Sequence, residues 1–178
     1  MFKNQKKTPL AVFVAAALLA ALSIVLGKYL AIRVGDTLRF SFENLPLLLA
    51  GMAFGPVMGM LVAVAADLIG CLLVGYAVNP LITLGGAVIG LLGGLLYRAL
   101  FKTPHILRVT VTVLAAHLVG SVLIKTVGLV AFYSYPLWEL MLWRALNYAL
   151  VGGLETVLLC VILKSRAVQS QINEIRRK

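Results

Sequence analysis

Along most of the chain, apolar positions come in long unbroken runs separated by short polar interruptions. Leu10 to Leu30, Val57 to Val74, Leu81 to Leu100, Val109 to Phe132 and Leu137 to Leu163 each predict a helix. Runs of about 18 apolar residues or more are long enough to cross a bilayer as helices. A shorter run, Leu45 to Phe54, ends at Gly55-Pro56. At about 1.5 Å per residue it is too short to cross a core of about 30 Å alone, so it is expected to be tilted or buried among its neighbours. Pro56, Pro80, Pro104 and Pro136 all fall at the breaks, as suits a residue that cannot continue a helix. The pattern therefore predicts an all-α membrane protein of six transmembrane helices over residues 1–164, followed by a basic tail over 165–178.

Composition agrees with the pattern. Of the 178 residues, 62% are hydrophobic, more than a soluble domain of this size can hide. The net charge of +10 raises the question of nucleic acid, but the distribution of charge answers it. Eleven of the sixteen Lys and Arg lie in three places: Lys3, Lys6 and Lys7; Arg98, Lys102 and Arg108; and Lys164, Arg166, Arg176, Arg177 and Lys178. With six spans these clusters share one side. By the positive-inside rule that side is cytoplasmic, with both termini there and no nucleic-acid partner. The first apolar run is long enough to read as a retained helix rather than a cleaved signal. Val168, Ile172 and Ile175 have helical spacing in the tail, which either lies on the lipid surface or frays.

Charges inside apolar spans are costly, so each needs a reason. Asp67, Lys125 and Arg144 fall at one predicted depth, in the outer half of the membrane, close to Arg39 and Glu43 in the loop after the first span. His117, Ser121 and Lys125 are four apart and line one face of the fifth span. Arg144, Tyr148 and Glu155 share a face of the sixth, with Asn147 at its edge. These faces predict an outward-facing recess of polar and aromatic groups beneath the loop RFSFEN, with Arg39 and Phe42 as its lid. Each residue also has a plainer reading. Asp67 can pair with Lys125 or Arg144 as structural glue, and His117 can be a satisfied core histidine. Trp138, Trp143, Tyr133 and Tyr135 can form an interfacial aromatic belt.

Small residues recur four apart: Ala17 and Ala21 (also Ala16 and Ala20), Gly55 and Gly59, and Gly86, Gly90 and Gly94. Such stripes let helices approach closely. For the glycines internal packing is favoured, whereas the alanines can face a partner subunit. Cys71 and Cys160 lie in apolar runs and read as small core residues. No phosphate-binding loop, no His or Cys pair with metal-ligand spacing and no nucleophile elbow occurs, so neither catalysis nor a cofactor is expected.

Three stretches carry a resemblance: AALLAALSIVLGKYL; LRFSFENLPLLLAGMAFGPVMGMLVAVAADLIGCLL, with its F-x-x-L-P, G-x-x-F-G-P and A-D-L-x-G patterns; and WRALNY. Through them nearly the whole chain resembles the substrate-binding S component of energy-coupling-factor (ECF) vitamin transporters, most of all the folate branch. That resemblance implies a six-helix subunit that captures a vitamin from outside. It implies as partners a membrane scaffold, docked through an A-x-x-x-A motif matching Ala17 and Ala21, and two cytoplasmic ATPases. It also implies a toppling of the subunit that turns its cargo inward.

Folate as cargo implies an acidic tail paired with Arg39, Lys125 or Arg144. Its pterin ring would stack on Phe42 or Trp138, and Asp67 would accept from the amino edge. Tyr76, His117 and Asn147 complete the candidate wall. The segment GYAVNPLITLGG departs from the aromatic-Pro-Gly-Phe-Thr stretch of folate members, which leaves another vitamin, such as pantothenate, open. A membrane enzyme and a non-transporting adaptor are the readings from other classes.

Overall fold

The structure, a computed structural model, describes residues 10–34, 38–166 and 168–170. The sequence-stretches around Lys3, Lys6 and Lys7, and around Ile172, Ile175 and Arg176 to Lys178, lie outside the described residues. Among the described residues, five helices are long and apolar enough to cross a membrane. They are α1 (Leu10–Tyr29), α3 (Pro56–Val74), α4 (Pro80–Ala99), α5 (His105–Tyr133) and α6 (Leu137–Lys164). A shorter apolar helix, α2 (Asn44–Phe54), lies between the first two. The described residues are almost all helical, as the pattern predicts, and one link adds a small exception. The link from α1 to α2 carries an antiparallel hairpin, β1 (Ile32–Val34) and β2 (Leu38–Phe40), with Arg33 paired to Arg39 along the backbone.

Helix α2 holds the bundle together. Nine of its eleven residues are buried, from Asn44 to Ala53. Its Leu45, Leu48 and Met52 join Ile89, Val109, Val113 and Leu159 in one apolar core. Its Leu47 and Ala50 join Ala16, Ala20, Val62 and Ala63 in another. An apolar helix inserted between two cores has no lipid-facing side to pattern, which explains its evenly greasy sequence. It ends at Gly55, whose φ of 109° a side chain would strain, and Pro56 opens α3 at once.

The glycines of α2, α3 and α4 face one another. A Cβ on Gly90 would run into the Gly59 backbone, and one on Gly94 would meet Gly51 and Pro56. Backbones pack here with almost nothing between them, as small-residue stripes allow. Farther along, α4 meets α5 at Gly85 and Gly120 in the same manner. Helix α5 widens to π-type turns over His117–Ile124, where the Lys125 amide reaches back to the Gly120 carbonyl. The last turn of α1, Val25–Tyr29, is widened too. Such turns are rare, and they cluster at functional places in helices.

Chain direction gathers one set of ends. The last turns of α1, α3 and α5 lie with the first turns of α4 and α6, the hairpin and the start of α2, and a single cavity draws on all of them. Arg98, Lys102, Arg108 and Lys164 occupy the opposite ends of their helices or the link between them.

Candidate ligand-binding site

Each wall of the cavity is fixed by a local feature of the chain. The hairpin brings Arg39 and Ser41 over the end of the bundle. Asn147 Nδ2 donates to the Arg39 carbonyl at 3.0 Å, and Ser23 Oγ donates to the Glu43 carbonyl at 2.7 Å, so the strap is tied on both sides. Asn79 caps α4 by accepting from the amides of Leu81 and Ile82, and its own amide group donates to the Gly128 carbonyl at 3.0 Å. That cap joins the α3–α4 link to α5. Ser134, in the left-handed region at φ 56°, turns the chain so that Tyr133 and Tyr135 flank the mouth.

The cavity holds about 280 Å³ and is lined by Lys28, Arg39, Glu43, Asp67, Lys125 and Arg144 among charged residues. Tyr76, Tyr133, Tyr135 and Tyr148 supply rings, and Ile82, Leu129 and Leu140 apolar surface. Its size lies near the lower end of ligand pockets, which run from roughly 300 to 1,000 Å³. The ionic groups interlock. Lys125 Nζ lies 3.1 Å from Glu43 Oε1 and donates to Asn44 Oδ1 at 3.3 Å. Arg39 reaches the other Glu43 oxygen at 3.5 Å. Lys28 lies 3.9 Å from Asp67, whose second oxygen accepts from Thr83 Oγ1 at 2.5 Å.

Arg144 differs from the other cations. Its Nε and Nη2 donate to the Ser121 carbonyl at 3.3 and 2.9 Å, and no carboxylate pairs with it among the described residues. Burial by itself would raise the Glu43 carboxyl. Lys125, Arg39 and Lys28 outweigh burial and bring it down to about 2. Glu43 is thus a fixed negative charge. Four cations face two carboxylates in this wall, and the excess of positive charge favours an anionic guest.

Of the residues singled out from sequence, Arg39, Asp67, Tyr76, Lys125 and Arg144 come together on this wall. Four others do not reach it. The extended segment stops at Phe40, so Phe42 turns the other way and packs against the core around Leu45 and Leu48. Trp138 is 80% exposed on the outside of α6. His117 is enclosed behind Tyr148, and Asn147 serves the hairpin backbone. Lys28 and Glu43 were not on that roll, nor were Tyr133, Tyr135 and Tyr148. Lys28 carried a legible signal, since it is a charge inside the first apolar run. Among the described residues no cluster of His, Cys, Asp or Glu has the makings of a metal site.

A multi-pass bundle with an ion-lined recess at one end defines a membrane protein built to hold a small polar guest. The chain belongs to the family described as ECF transporter, substrate-specific component, which it matches over residues 12–165. Among solved structures it is similar to FolT bound with folic acid: 22% identity over 87% of this chain and 90% of that one, with a TM-score of 0.67. It is similar also to ThiT from Listeria monocytogenes: 15% identity over 92% and 97%, with a TM-score of 0.69. At these identities the likeness establishes a shared fold. Among curated proteins none matches.

Proposed function

We propose that this chain captures folate from outside the cell and delivers it through an ECF scaffold subunit and two ATPases. The observation that carries the reading is the cavity wall, where four cations oppose two carboxylates beside four tyrosine rings. A flat heteroaromatic ring stacks on tyrosine, and an acidic tail needs guanidinium groups. Arg144, which has no carboxylate partner among the described residues and donates to the neutral Ser121 carbonyl, is the natural receiver of a carboxylate, with Arg39 beside Glu43 as the second. The folate bound to FolT, a protein of the same fold, favours this vitamin over others.

In this reading α2 counts as the sixth membrane helix. The cavity faces outward, because Arg98, Lys102, Arg108 and Lys164 mark the opposite end as cytoplasmic. Both termini then lie inside. Ala17 and Ala21, exposed on α1 while Ala16 and Ala20 are buried, offer a flat strip to the scaffold.

The test is a titration of the detergent-purified protein with folate, pantothenate, riboflavin and thiamine, followed by tryptophan fluorescence. Folate is expected to bind tightest. Arg39→Ala and Arg144→Ala are each expected to weaken it about tenfold to a hundredfold, the range of a charge-assisted hydrogen bond. Preference for a different vitamin, or both variants binding as wild type does, would overturn the assignment.

A further inference from the structure

Behind the cavity wall lies a polar group that no contact with the cavity explains. Glu155 is fully buried and His117 is 2% exposed, and Glu155 Oε2 lies 2.5 Å from His117 Nε2. On the ring's other side His117 Nδ1 lies 3.2 Å from Ser121 Oγ. Two ionisable groups inside a membrane bundle are costly, and an apolar pair of like volume avoids that cost.

The slot is nonetheless shaped for the imidazole. Gly152 faces it, and a Cβ there would lie 3.2 Å from His117 Cδ2. Tyr148 stacks on the ring at 4.9 Å between centroids and 23° between planes.

Two neighbours of the imidazole, Tyr148 and Ser121, also touch Arg144. The Tyr148 ring lines the cavity, with Arg144 Cζ 5.3 Å from its centroid. Ser121, whose hydroxyl faces His117, is the residue whose carbonyl accepts from Arg144. The buried pair thus braces the two groups that fix the one wall cation without a carboxylate partner among the described residues.

We infer that Glu155 and His117 are positioning residues for the ligand site. The carboxyl group holds the imidazole, and the imidazole holds Tyr148 and Ser121. These in turn keep the Arg144 guanidinium where it meets an anionic guest. The inference rests on the cavity being the ligand site proposed above.

Folate titrations of the detergent-purified wild type, His117→Leu, Arg144→Ala and the double variant test it, with folding checked by thermal melting. His117→Leu is expected to weaken folate about tenfold, or about 1.4 kcal/mol. The double variant is expected to bind no more than about twofold worse than Arg144→Ala, since both changes remove one contact. A folded His117→Leu protein within about twofold of wild type overturns the inference, as do losses that multiply in the double variant. Should His117→Leu not fold, His117→Gln, which keeps a polar partner for Glu155 but loses the ring, is held to the same criteria. A wild type that binds no folate overturns the proposed function and this inference together. Wild-type affinity with an unaffected His117 variant overturns this inference alone.

Discussion

Lys125 is enclosed by the bundle, with Glu43 and Asn44 as its partners at 3.1 and 3.3 Å. An ion pair out of water is stabilising chiefly in the sense that neither half tolerates losing the other. Lys125→Met would leave the Glu43 carboxylate with Arg39 at 3.5 Å. A loss of about 3 kcal/mol is expected, at the low end for buried pairs because Glu43 keeps some exposure. A lowered melting midpoint in detergent would register it, and adding Glu43→Gln should restore most of the loss. A single variant that melts with the wild type would show the pair to be dispensable.

At this scale the cost of charge in lipid made Asp67, Lys125 and Arg144 legible, because few reasons exist to place them there. Their partners were not legible. Glu43 lies 82 residues from Lys125 in the chain, and no periodicity links the two. His117 shows the limit from the other side. Its spacing to Ser121 and Lys125 placed it on the right face of α5, but which of those residues opens to the cavity depends on Tyr148 in α6.

Helices α2, α3 and α4 pack through their backbones, so their contact tolerates no added atom. Gly90→Ala is expected to destabilise by about 1–3 kcal/mol, as overpacking does. Gly153→Ala is its control: the site is helical, nothing lies within 4 Å of an added Cβ, and the change should be neutral or stabilising by up to about 1 kcal/mol. Equal melting midpoints for the two variants would contradict the close approach. Proline and glycine made the element boundaries readable, and Gly55-Pro56 ends one helix and starts the next as expected. The widened turns of His117–Ile124 carry no composition of their own, since apolar residues fit α- and π-type turns alike. The hairpin was only half visible. The stretch RFSFEN read as a loop over the recess, whereas the pairing of its first residues with β1 depends on the chain folding back.

Viewed whole, the molecule presents an ion-lined cavity at one end of the bundle and exposes Ala17 and Ala21 along the side of α1, the two faces on which the proposed function rests. If the strip docks on the scaffold, Ala17→Trp with Ala21→Trp should leave folate affinity within about twofold of wild type, because neither residue lines the cavity. Uptake by cells expressing the scaffold and both ATPases should then be abolished. Undiminished uptake would place the docking surface elsewhere.

The sequence by itself determined the solvent, the helices and their breaks, since apolar length and helix-ending residues act locally along the chain. It also pointed to the charges that need partners. Tertiary structure decided who those partners are. It packed Phe42 against the core and left Trp138 outside. It set His117 behind the wall, and it drew Lys28, Glu43, Tyr133, Tyr135 and Tyr148 into it. The physical reason is that membership of a cavity wall is a property of facing surfaces. A helix carries its own periodicity, but the surface it meets is supplied by another part of the chain.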